Sequence, residues 1–381
     1  MSKIVFVNDV AATEGGALTI LKQFLSNISK YSPQDFVYYI FCSLQELKQY
    51  ESSNIKIITD VKGTKWLERI KWDLFGLKKW SQSHHLKADL IISLQNTGCR
   101  YYSGTKQIVF IQQALAFCSS KKWSFLKKKE RALWFYQHIY KQIIRYSLRK
   151  DTLLVAQTET MKNAIIQQFK WDKSKIKVIR PSLEEIKVEK VNKINFNDNK
   201  FHIFYPASTV LYKNHEIIIR ALQYLKEKDR DVYNNLLVHF TFKPEGARNL
   251  ELVNLINKLG VNEAIKLEGQ LPYKRVLSFY KSCDLMVFPS YIESYGLPLR
   301  EAAFFGLPIL ASDLPFSREV LKDYSGGKFL DYTNSQVWAE TIKEFYKKKV
   351  KFPSYREQVS NDWRKFFNLV ENLVTSKYQI K

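Results

Sequence analysis

One stretch, from Asp284 to Ser312, constrains the fold of this chain more than any other. It begins and ends with apolar runs, and a polar loop and a helix start lie between them. In order, its parts are a strand at 285–288, a turn at 289–290, a helix beginning near Leu297 and Pro298, a break at Gly306 and Pro308, and a strand at 309–311. Proline suits the first turn of a helix and glycine suits its end. This order predicts one strand-helix-strand unit of a parallel sheet.

Two carboxylates flank the start of that helix. Glu293 lies in the loop before it, and Glu301 lies about one turn inside it. Free N–H groups and the helix dipole point out of a helix N-terminus, which makes such a place an anion site. Acidic residues near a helix start also stabilise the dipole without any ligand. The spacing alone therefore leaves a binding site and a plain helix start both open.

The length and charge of the chain narrow its class. At 381 residues, it exceeds the roughly 250–300 residues at which a single core stops growing, so we expect two domains. The formal net charge is +23, which favours nucleic acid, a phosphate-bearing substrate or an anionic membrane surface as partner. The four cysteines show no metal-ligand spacing and are typical of a reducing compartment.

The first half alternates short apolar strands with helical or loop segments. Strands are expected at 3–7, 36–43, 55–58, 90–93, 107–112, 153–157 and 175–179. Gly15 and Gly16 lie between the first strand and a helix at about 18–29, where glycines let a ligand approach the backbone. A plain tight turn explains a bare glycine pair equally well. The alternation predicts an α/β fold whose first half is Rossmann-like.

Four amides follow two of these strands. Gln95 and Asn96 come after the fourth strand, and Gln112 and Gln113 come after the fifth. Ligands of open α/β sheets gather at the carboxyl ends of the strands, so we expect these amides at an acceptor site or cleft. An amide there can hydrogen-bond but cannot act as a general acid or base.

The second half carries the residues that indicate a family. Residues 289–312 read Pro-Ser-x-x-Glu-Ser-Tyr-Gly-Leu-Pro-x-x-Glu-Ala-x-x-x-Gly-x-Pro-Ile-x-Ala-Ser. This pattern closely resembles the nucleotide-sugar site of the retaining glycosyltransferases of family four. In that family the first Glu contacts the donor sugar, the backbone after it holds sugar and phosphate, and the second Glu holds the ribose hydroxyls. The resemblance places these roles on Glu293, on Tyr295, Gly296 and Leu297, and on Glu301.

A loop at 206–215, after an apolar strand at 202–205, adds to the resemblance. The family commonly has Gly-Arg here and a Lys five residues on, and the two cations clamp the donor diphosphate. Lys213 matches the Lys, but Ser208 stands at the Arg position, so a hydroxyl replaces one cation. Gly269 resembles the glycine that lines the base pocket in the family.

The resemblance implies the GT-B fold, in which two Rossmann-like domains face each other across a cleft and a C-terminal helix crosses back to the N-terminal domain. The expected parts are an acceptor domain at 1–182, a linker at 183–200, a nucleotide-sugar domain at 201–355 and a final helix at 356–381. Gly15 and Gly16 would then belong to the glycine loop that borders the cleft facing the donor, and the resemblance makes them donor-binding residues.

The resemblance also implies an activity. The expected reaction moves a hexose, with retention, from a nucleoside diphosphate sugar to a hydroxyl of a glycan or polyprenyl-linked glycan. A UDP-sugar is the favoured donor, and GDP-mannose is next. Lys213 and the backbone of 295–297 would stabilise the departing diphosphate, and Glu293 would hold the sugar, so we expect no metal and no other cofactor. Asp229-Arg-Asp231 matches a short metal motif but lies in a turn far from these loops.

Two segments of the first half, 62–79 and 121–150, are basic and aromatic together. The second holds seven Lys and three Arg against one Glu, a net charge of +9. Such segments are typical of helices on an anionic bilayer, as in family members that extend lipid-linked sugars, although aromatics at helical spacing also form cores. The sequence has no spanning run and no motif of the usual nucleic-acid-binding modules. We expect a cytoplasmic protein, peripheral on the inner face of the cytoplasmic membrane, and nucleic acid is disfavoured.

A binding protein is the main alternative. A degenerate GT-B pair could use its basic face to hold membrane, RNA or a partner enzyme, and Ser208 favours this because the clamp lacks a cation. Lys213, Glu293 and Glu301 favour an enzyme. A phosphorylase-like or sugar-phosphate-accepting enzyme of the same fold also stays open.

Overall fold

The structure is a computed structural model that describes residues 2–61, 66–182, 188–355 and 362–375. The chain divides into two compact units. The first unit consists of Met1–Ser182 with Val359–Lys381, and the second unit is Leu183–Gln358. Each unit contains one parallel sheet.

The first unit contains a seven-stranded sheet in the order β3-β2-β1-β4-β5-β6-β7. Its strands are β1 Lys3–Asn8, β2 Phe36–Phe41, β3 Ile55–Ile58, β4 Leu90–Ser93, β5 Lys106–Ile111, β6 Leu153–Ala156 and β7 Ile176–Val178. All neighbouring strands pair in parallel. The strands are rich in Val, Ile, Leu and Phe because helices cover both faces of such a sheet.

Helices of the first unit come from four regions of its N-terminal part. They are α1 Gly15–Tyr31, α2 Trp66–Lys71 with Trp72–Gly76 and Leu77–Ser83, α3 Arg131–Phe135 with Tyr136–Tyr140 and Lys141–Ser147, and α4 Glu159–Phe169. Short 3₁₀ turns lie at Gln45–Tyr50, Ala114–Phe117, Lys128–Glu130 and Lys173–Lys175. The middle segments of α2 and α3 are π-helical turns, a feature often found at functional places.

The second unit contains a six-stranded parallel sheet in the order β10-β9-β8-β11-β12-β13. Its strands are β8 Phe201–Tyr205, β9 Leu236–Phe240, β10 Ile265–Leu267, β11 Leu285–Phe288, β12 Ile309–Ser312 and β13 Gly327–Leu330. Leu285 of β11 lies opposite Ile203 of β8, so these two strands are central neighbours. The loops that follow them therefore leave the same edge of the sheet.

Helices of the second unit are α5 His215–Lys228, α6 Arg230–Asn234, α7 Ala247–Leu259, α8 Tyr273–Ser282, α9 Leu297–Phe304, α10 Pro315–Val320 and α11 Ser335–Lys348, with 3₁₀ turns at Val188–Lys190, Leu211–Lys213 and Asn262–Ala264. Asp229, from the short acidic motif, caps α6 by accepting the N–H of Val232 at 3.3 Å. Its other oxygen pairs with Lys343 at 2.8 Å. Helix capping and an ion pair therefore account for an acid at this position.

The last helix, α12 Asp362–Thr375, packs in the first unit. Its buried side chains include Trp363, Phe366, Phe367 and Val370, which share one helical face. Phe367 stacks on Phe24 of α1 with ring centroids 5.5 Å apart. The predicted fold class, two parallel α/β domains with a final helix that returns to the first, is confirmed in these respects. Residues 356–361 and 376–381 of the predicted final segment lie outside the described residues.

The segment expected as a linker packs against the second unit over its described part, 188–200. Val191, Ile194 and Phe196 lie on the core of that unit. The N–H of Ile194 donates to Ser282 Oγ at 2.8 Å, which ties the segment to the end of α8. Three apolar residues spaced along this charged segment thus pack it against the second unit. Residues 183–187 lie outside the described part.

Candidate active site

The loops after β8 and β11 are joined by hydrogen bonds at the carboxyl edge of the second sheet. The Tyr291 N–H donates to the Tyr212 carbonyl at 2.7 Å, and the Tyr291 hydroxyl donates to Asn214 Oδ1 at 3.1 Å. The Tyr205 hydroxyl donates to the Lys213 carbonyl at 2.5 Å. These bonds hold the two loops in one arrangement, so side chains from both can act on the same ligand.

Lys213 and Glu293 form an ion pair across these loops. Lys213 Nζ lies 2.5 Å from Glu293 Oε1, and each side chain is 15% exposed. Burial lowers the pKa of Lys213, but the negative charge of Glu293 outweighs burial and holds the pKa above its ordinary value. The lysine is therefore cationic at neutral pH. A largely buried ion pair adds little to folding stability, because the cost of desolvation offsets its attraction. Ligand binding therefore explains this pair better than stability does.

Glu301 lies inside α9, 8% exposed, and contacts two tyrosines of α8. Its Oε1 accepts from the Tyr273 hydroxyl and its Oε2 from the Tyr280 hydroxyl, each at 3.0 Å. Burial and the charge of Glu301 raise the pKa of Tyr280, so this hydroxyl keeps its proton. The sequence analysis missed both tyrosines, although their seven-residue spacing places them on one face of a helix.

The turn into α9 depends on Gly296. This residue has a φ of +90°, and a β-carbon there would lie 3.2 Å from Leu299 Cδ1. The Leu299 N–H donates to the Gly296 carbonyl at 2.9 Å, which closes the first turn. Tyr295 is buried and Leu297 is half-buried. The backbone of 295–297 thus forms the entrance to the helix, with the positive end of its dipole.

Ser208 and Gly269 lie on two loops of the same edge, which follow strands on either side of β9. Ser208 is exposed in the loop after β8, and Gly269 follows β10 with a φ of +73°. A β-carbon at Gly269 would lie 3.4 Å from Cγ and 3.7 Å from Cε of Lys243, so a lysine chain covers this glycine. Sequence analysis did not single out Lys243, whose position follows β9. The predicted donor residues of this unit therefore share the carboxyl edge of its sheet.

In the first unit, Gly15 and Gly16 begin α1. Gly15 has a φ of +61°, a conformation that favours glycine. No described heavy atom lies within 4 Å of a β-carbon built on either glycine. Space for a β-carbon is therefore present at both positions, and the positive φ of Gly15 is the feature that favours glycine there.

The amides after β4 hold loops together. Gln95 is 3% exposed, its Nε2 donates to Asp73, and its Oε1 accepts from the Ala11 N–H at 3.1 Å. Asn96 Oδ1 accepts the backbone N–H groups of Gln112 at 2.6 Å and Gln113 at 2.7 Å. These side-chain atoms stabilise the carboxyl ends of β4 and β5.

The amides after β5 act in the same way. Gln112 Nε2 donates to the Leu94 carbonyl at 2.6 Å, and Gln113 Oε1 accepts from the Leu115 N–H at 3.2 Å. Any contact of the four amides with a ligand would have to use their remaining atoms.

Two buried carboxyls lie close to these loops, and the sequence analysis missed them. Asp73, in the π-helical turn of α2, accepts from Asn8 at 3.0 Å and Thr97 at 2.5 Å, and burial raises its pKa to about 6. Asp9 follows β1, and neither of its carboxyl oxygens has a hydrogen-bond partner among the described residues. Burial raises the pKa of Asp9 well above its ordinary value, which favours the neutral acid.

The basic and aromatic segments divide their large side chains between core and surface. Trp123, Leu133 and Tyr140 are buried, whereas Phe125 is 56% and Leu126 is 87% exposed. Residues 62–65 of the first segment lie outside the described part. Across the residues that the structure covers, no helix is long and apolar enough to cross a membrane.

Part of the chain matches a known family. Residues 187–366 match the family described as "Glycosyl transferases group 1". A D-inositol 3-phosphate glycosyltransferase of Salinispora arenicola is 23% identical over 204 residues, which cover 50% of this chain and 46% of that protein. This chain thus aligns with about half the length of that curated relative.

Solved structures resemble the chain over almost its whole length. Anabaena Alr3699/HepE in complex with UDP and glucose superimposes with a TM-score of 0.64 at 15% identity, covering 98% of this chain and 97% of that chain. WaaG, described as a glycosyltransferase involved in lipopolysaccharide biosynthesis, gives 0.63 at 14% identity, covering 98% and 100%. At such low identities, the likeness shows the fold alone.

Proposed function

We propose that this chain, which has the GT-B fold and carries a glycosyl transferases group 1 domain at residues 187–366, is a glycosyltransferase. Its donor is a nucleoside diphosphate sugar, with a UDP-sugar favoured and GDP-mannose next. It moves the hexose, with retention, to a hydroxyl of a polyprenyl-linked glycan. The observation that carries the proposal is the Lys213–Glu293 pair next to α9, with Glu301 inside that helix.

Lys213 and α9 stabilise the leaving diphosphate. An ammonium has three N–H donors, so Lys213 can keep its ion pair with Glu293 and still donate a hydrogen bond to a phosphate oxygen. Its raised pKa keeps it cationic at neutral pH. The backbone of 295–297 adds the positive end of a helix dipole, which stabilises developing negative charge without rearrangement.

The two glutamates hold the rest of the donor. Glu293 accepts hydrogen bonds from the sugar hydroxyls while the sugar ring gains positive charge. Glu301 accepts from the ribose hydroxyls, because each carboxylate oxygen can take a second hydrogen bond beside those from Tyr273 and Tyr280. Gly269 lines the base pocket. Its positive φ favours glycine, because a residue with a side chain would be strained in this conformation.

Lysines and the helix dipole supply the positive charge of the site, so the proposed reaction needs no metal and no other cofactor. Ser208 offers a hydroxyl where the family commonly has Arg. Lys243, whose chain covers Gly269, is the cation we assign as its supplement. Retention follows from attack on the same face that the diphosphate leaves, assisted by the leaving phosphate.

The acceptor is assigned to the first unit and to the inner face of the cytoplasmic membrane. Exposed Phe125 and Leu126 lie among the cations of 121–150, and these are the two components of interfacial binding. WaaG, of similar fold, is described as acting in lipopolysaccharide biosynthesis.

A panel of nucleotide sugars tests the activity. The purified protein is incubated with UDP- and GDP-sugars and an undecaprenyl-diphosphate-linked glycan, and nucleoside diphosphate release is measured with and without EDTA. We expect release with one donor class, unchanged by EDTA. Activity lost in EDTA and restored by manganese would overturn the metal-free mechanism.

Glu293→Ala separates sugar from nucleotide recognition. We expect kcat to fall by two orders of magnitude or more and the Kd for UDP to change only a few-fold, since the proposed partner of Glu293 is the sugar. Glu251→Ala, which removes a 48% exposed carboxylate of the same unit, is the control and should retain activity. Full activity of Glu293→Ala would refute its assigned role.

The binding-protein alternative predicts a different result. A degenerate GT-B pair would release no nucleoside diphosphate with any donor, while its basic face still bound vesicles or RNA. The exposed Ser208 is the observation in its favour.

A further inference from the structure

An apolar pocket of about 400 Å³ lies in the first unit, outside the donor site. Ile70 and Leu74 of α2 line one wall, and Ile139, Ile143 and Tyr146 of α3 line the other. The volume falls in the range of small-molecule sites, which is about 300–1,000 Å³. Ile139 is 42% and Tyr146 is 52% exposed, so this wall extends to the protein surface.

The pocket is built from one face of each helix. Its α2 residues are three and four positions apart, and its α3 residues repeat at the same spacing. Both helices contain a π-helical turn beside it, at 72–76 and 136–140. Such a turn inserts a residue into the helix and changes which side chains face the neighbour.

The buried polar residues that line the pocket are already hydrogen-bonded within the protein, whereas its remaining amide, Gln142, is exposed. Asp73 accepts from Asn8 and Thr97, and Ser147 Oγ donates to the Ile144 carbonyl at 2.6 Å and accepts the Gly98 N–H at 2.9 Å. A sugar would need unoccupied donors and acceptors, whereas a hydrocarbon needs none. The walls therefore favour an aliphatic chain.

An aromatic strip continues from the pocket along the surface. Phe75 stacks on Tyr101 with ring centroids 4.8 Å apart, and the Tyr101 and Tyr146 hydroxyls are 2.8 Å apart. The Arg100 guanidinium lies 4.6 Å from the Tyr146 ring centroid. Phe75 and Tyr101 are 44% and 38% exposed. Aromatic rings with a cation at the mouth of an apolar pocket suit the boundary between a lipid chain and its head group.

We propose that this pocket binds the hydrocarbon chain of a lipid phosphate, with the phosphate at the cations of α2. Exposed Lys71, Lys78 and Lys79 on α2 provide the charge complementarity. An apolar side chain of a partner protein would not require this excess of cations. The inference rests on the proposed function, because it identifies the lipid carrier as the part of the acceptor that the first unit recognises.

Alkyl phosphates of increasing length test the pocket by calorimetry on the whole chain. Between hexyl and decyl phosphate, affinity should rise about fourfold per methylene while the chain is being buried, and then level off when the pocket is full. Inorganic phosphate should bind weakly, and decanol should bind less tightly than decyl phosphate. Affinity independent of chain length would overturn the proposal and would favour a soluble or protein partner.

Two substitutions locate the site. Ile143→Trp and Leu74→Trp fill the pocket and should each weaken decyl phosphate binding at least tenfold. Asn163→Trp adds the same ring at an exposed position of α4 in the same unit and should leave binding unchanged. Wild-type affinity in both pocket variants would place the chain elsewhere and refute the assignment.

UDP binding, measured on the same samples, separates this inference from the proposed function. UDP should bind the wild type and all three variants equally, because the pocket lies in the first unit, whereas Lys213 and Glu301, which hold the nucleotide, lie in the second. Normal UDP binding without chain-length dependence would refute the pocket alone. Absence of binding to any nucleotide would refute the proposed function.

Discussion

Glu301 binds two tyrosines in the protein and, in the proposed function, two ribose hydroxyls of the donor. Glu301→Ala should weaken UDP binding by roughly 1.5–3 kcal/mol, about tenfold or more, because a charged hydrogen-bond partner is lost. Calorimetry at 25 °C measures the change. Tyr273→Phe, which removes one neutral hydrogen bond to the same carboxylate, is the matched control and should have a smaller effect. Unchanged affinity in Glu301→Ala would show that the ribose binds elsewhere.

His215, at the start of α5, makes the stability of the second unit depend on pH. Its ring lies among those of Tyr205, Phe240 and Phe242, and burial lowers its pKa to about 3. In the unfolded chain, this histidine takes up a proton below about pH 6.5, whereas the folded protein keeps it neutral. The free energy of unfolding should therefore fall as the pH drops from about 6.5 towards 3, by up to roughly 1.4 kcal/mol per pH unit.

Urea unfolding at pH 7, 6, 5 and 4 checks this slope. His215→Phe should reduce it, because phenylalanine fills the apolar site and does not titrate. His138→Phe, at an exposed histidine, should keep the wild-type slope. Equal slopes in all three proteins would mean that His215 does not control the acid sensitivity.

The proposed donor residues could be singled out in the sequence because the family pattern is local. Glu293, Glu301 and Lys213 each lie within a short motif after a strand. No such signal marks Asp9, Asp73 or the two tyrosines of α8. Asp73 and Asn8, for example, are 65 positions apart in the sequence, and only the fold brings them into hydrogen-bond contact. A buried carboxyl without a hydrogen-bond partner cannot be seen in a sequence.

Among the elements, α2 contains a glycine, Gly76, whose missing side chain leaves room for the ring of Trp72. Gly76 is in the helical conformation, where replacement by alanine would ordinarily stabilise a helix by about 0.5–1 kcal/mol. A β-carbon at Gly76 would overlap the Trp72 ring. We expect Gly76→Ala instead to destabilise the protein by roughly 1–3 kcal/mol, as overpacking does.

Urea unfolding followed by tryptophan fluorescence measures this effect. Gly16→Ala is the matched control, since this helical glycine has no described heavy atom within 4 Å of an added β-carbon. Its stability should stay the same or rise slightly. Stabilisation by Gly76→Ala would show that the Trp72 ring moves aside freely.

Strand and helix periodicity predicted most elements, and the differences have local causes. β13 was not predicted because Gly327–Leu330 has only three side chains, too few for a period. In α2 and α3, each π-helical turn shifts the helical phase, so the sequence could not tell which aromatics face the core. The segment 188–200 was expected as a linker because charge outweighs its few apolar residues.

For the whole molecule, the clearest prediction concerns anionic membranes. Lys127, Lys128 and Lys129 are exposed, and each cation near an anionic surface adds about 1 kcal/mol. Changing all three to Glu should reduce co-sedimentation with phosphatidylserine vesicles by about two orders of magnitude in affinity. Binding of the wild type should fall with salt as the Debye length drops below about 8 Å.

A second lysine triplet provides the control. Lys347, Lys348 and Lys349 are also exposed, but they lie in the second unit, and changing them to Glu alters the net charge equally. This variant should bind vesicles as the wild type does. Equal loss in both triple variants would indicate a response to total charge, and no binding of the wild type at low salt would refute membrane docking.

The return of α12 to the first unit determines the order in which the two units complete their cores during synthesis. Trp363, Phe366 and Phe367 cover Phe24 and Phe110, yet they are synthesised after the entire second unit. While a ribosome is still making residues 188–355, the apolar side of α1 lacks this cover and is available to chaperones. The second unit can close its core first, and the first unit gains its final layer only when α12 emerges. The first unit is thus completed after the second unit, although its sheet precedes the second unit along the chain.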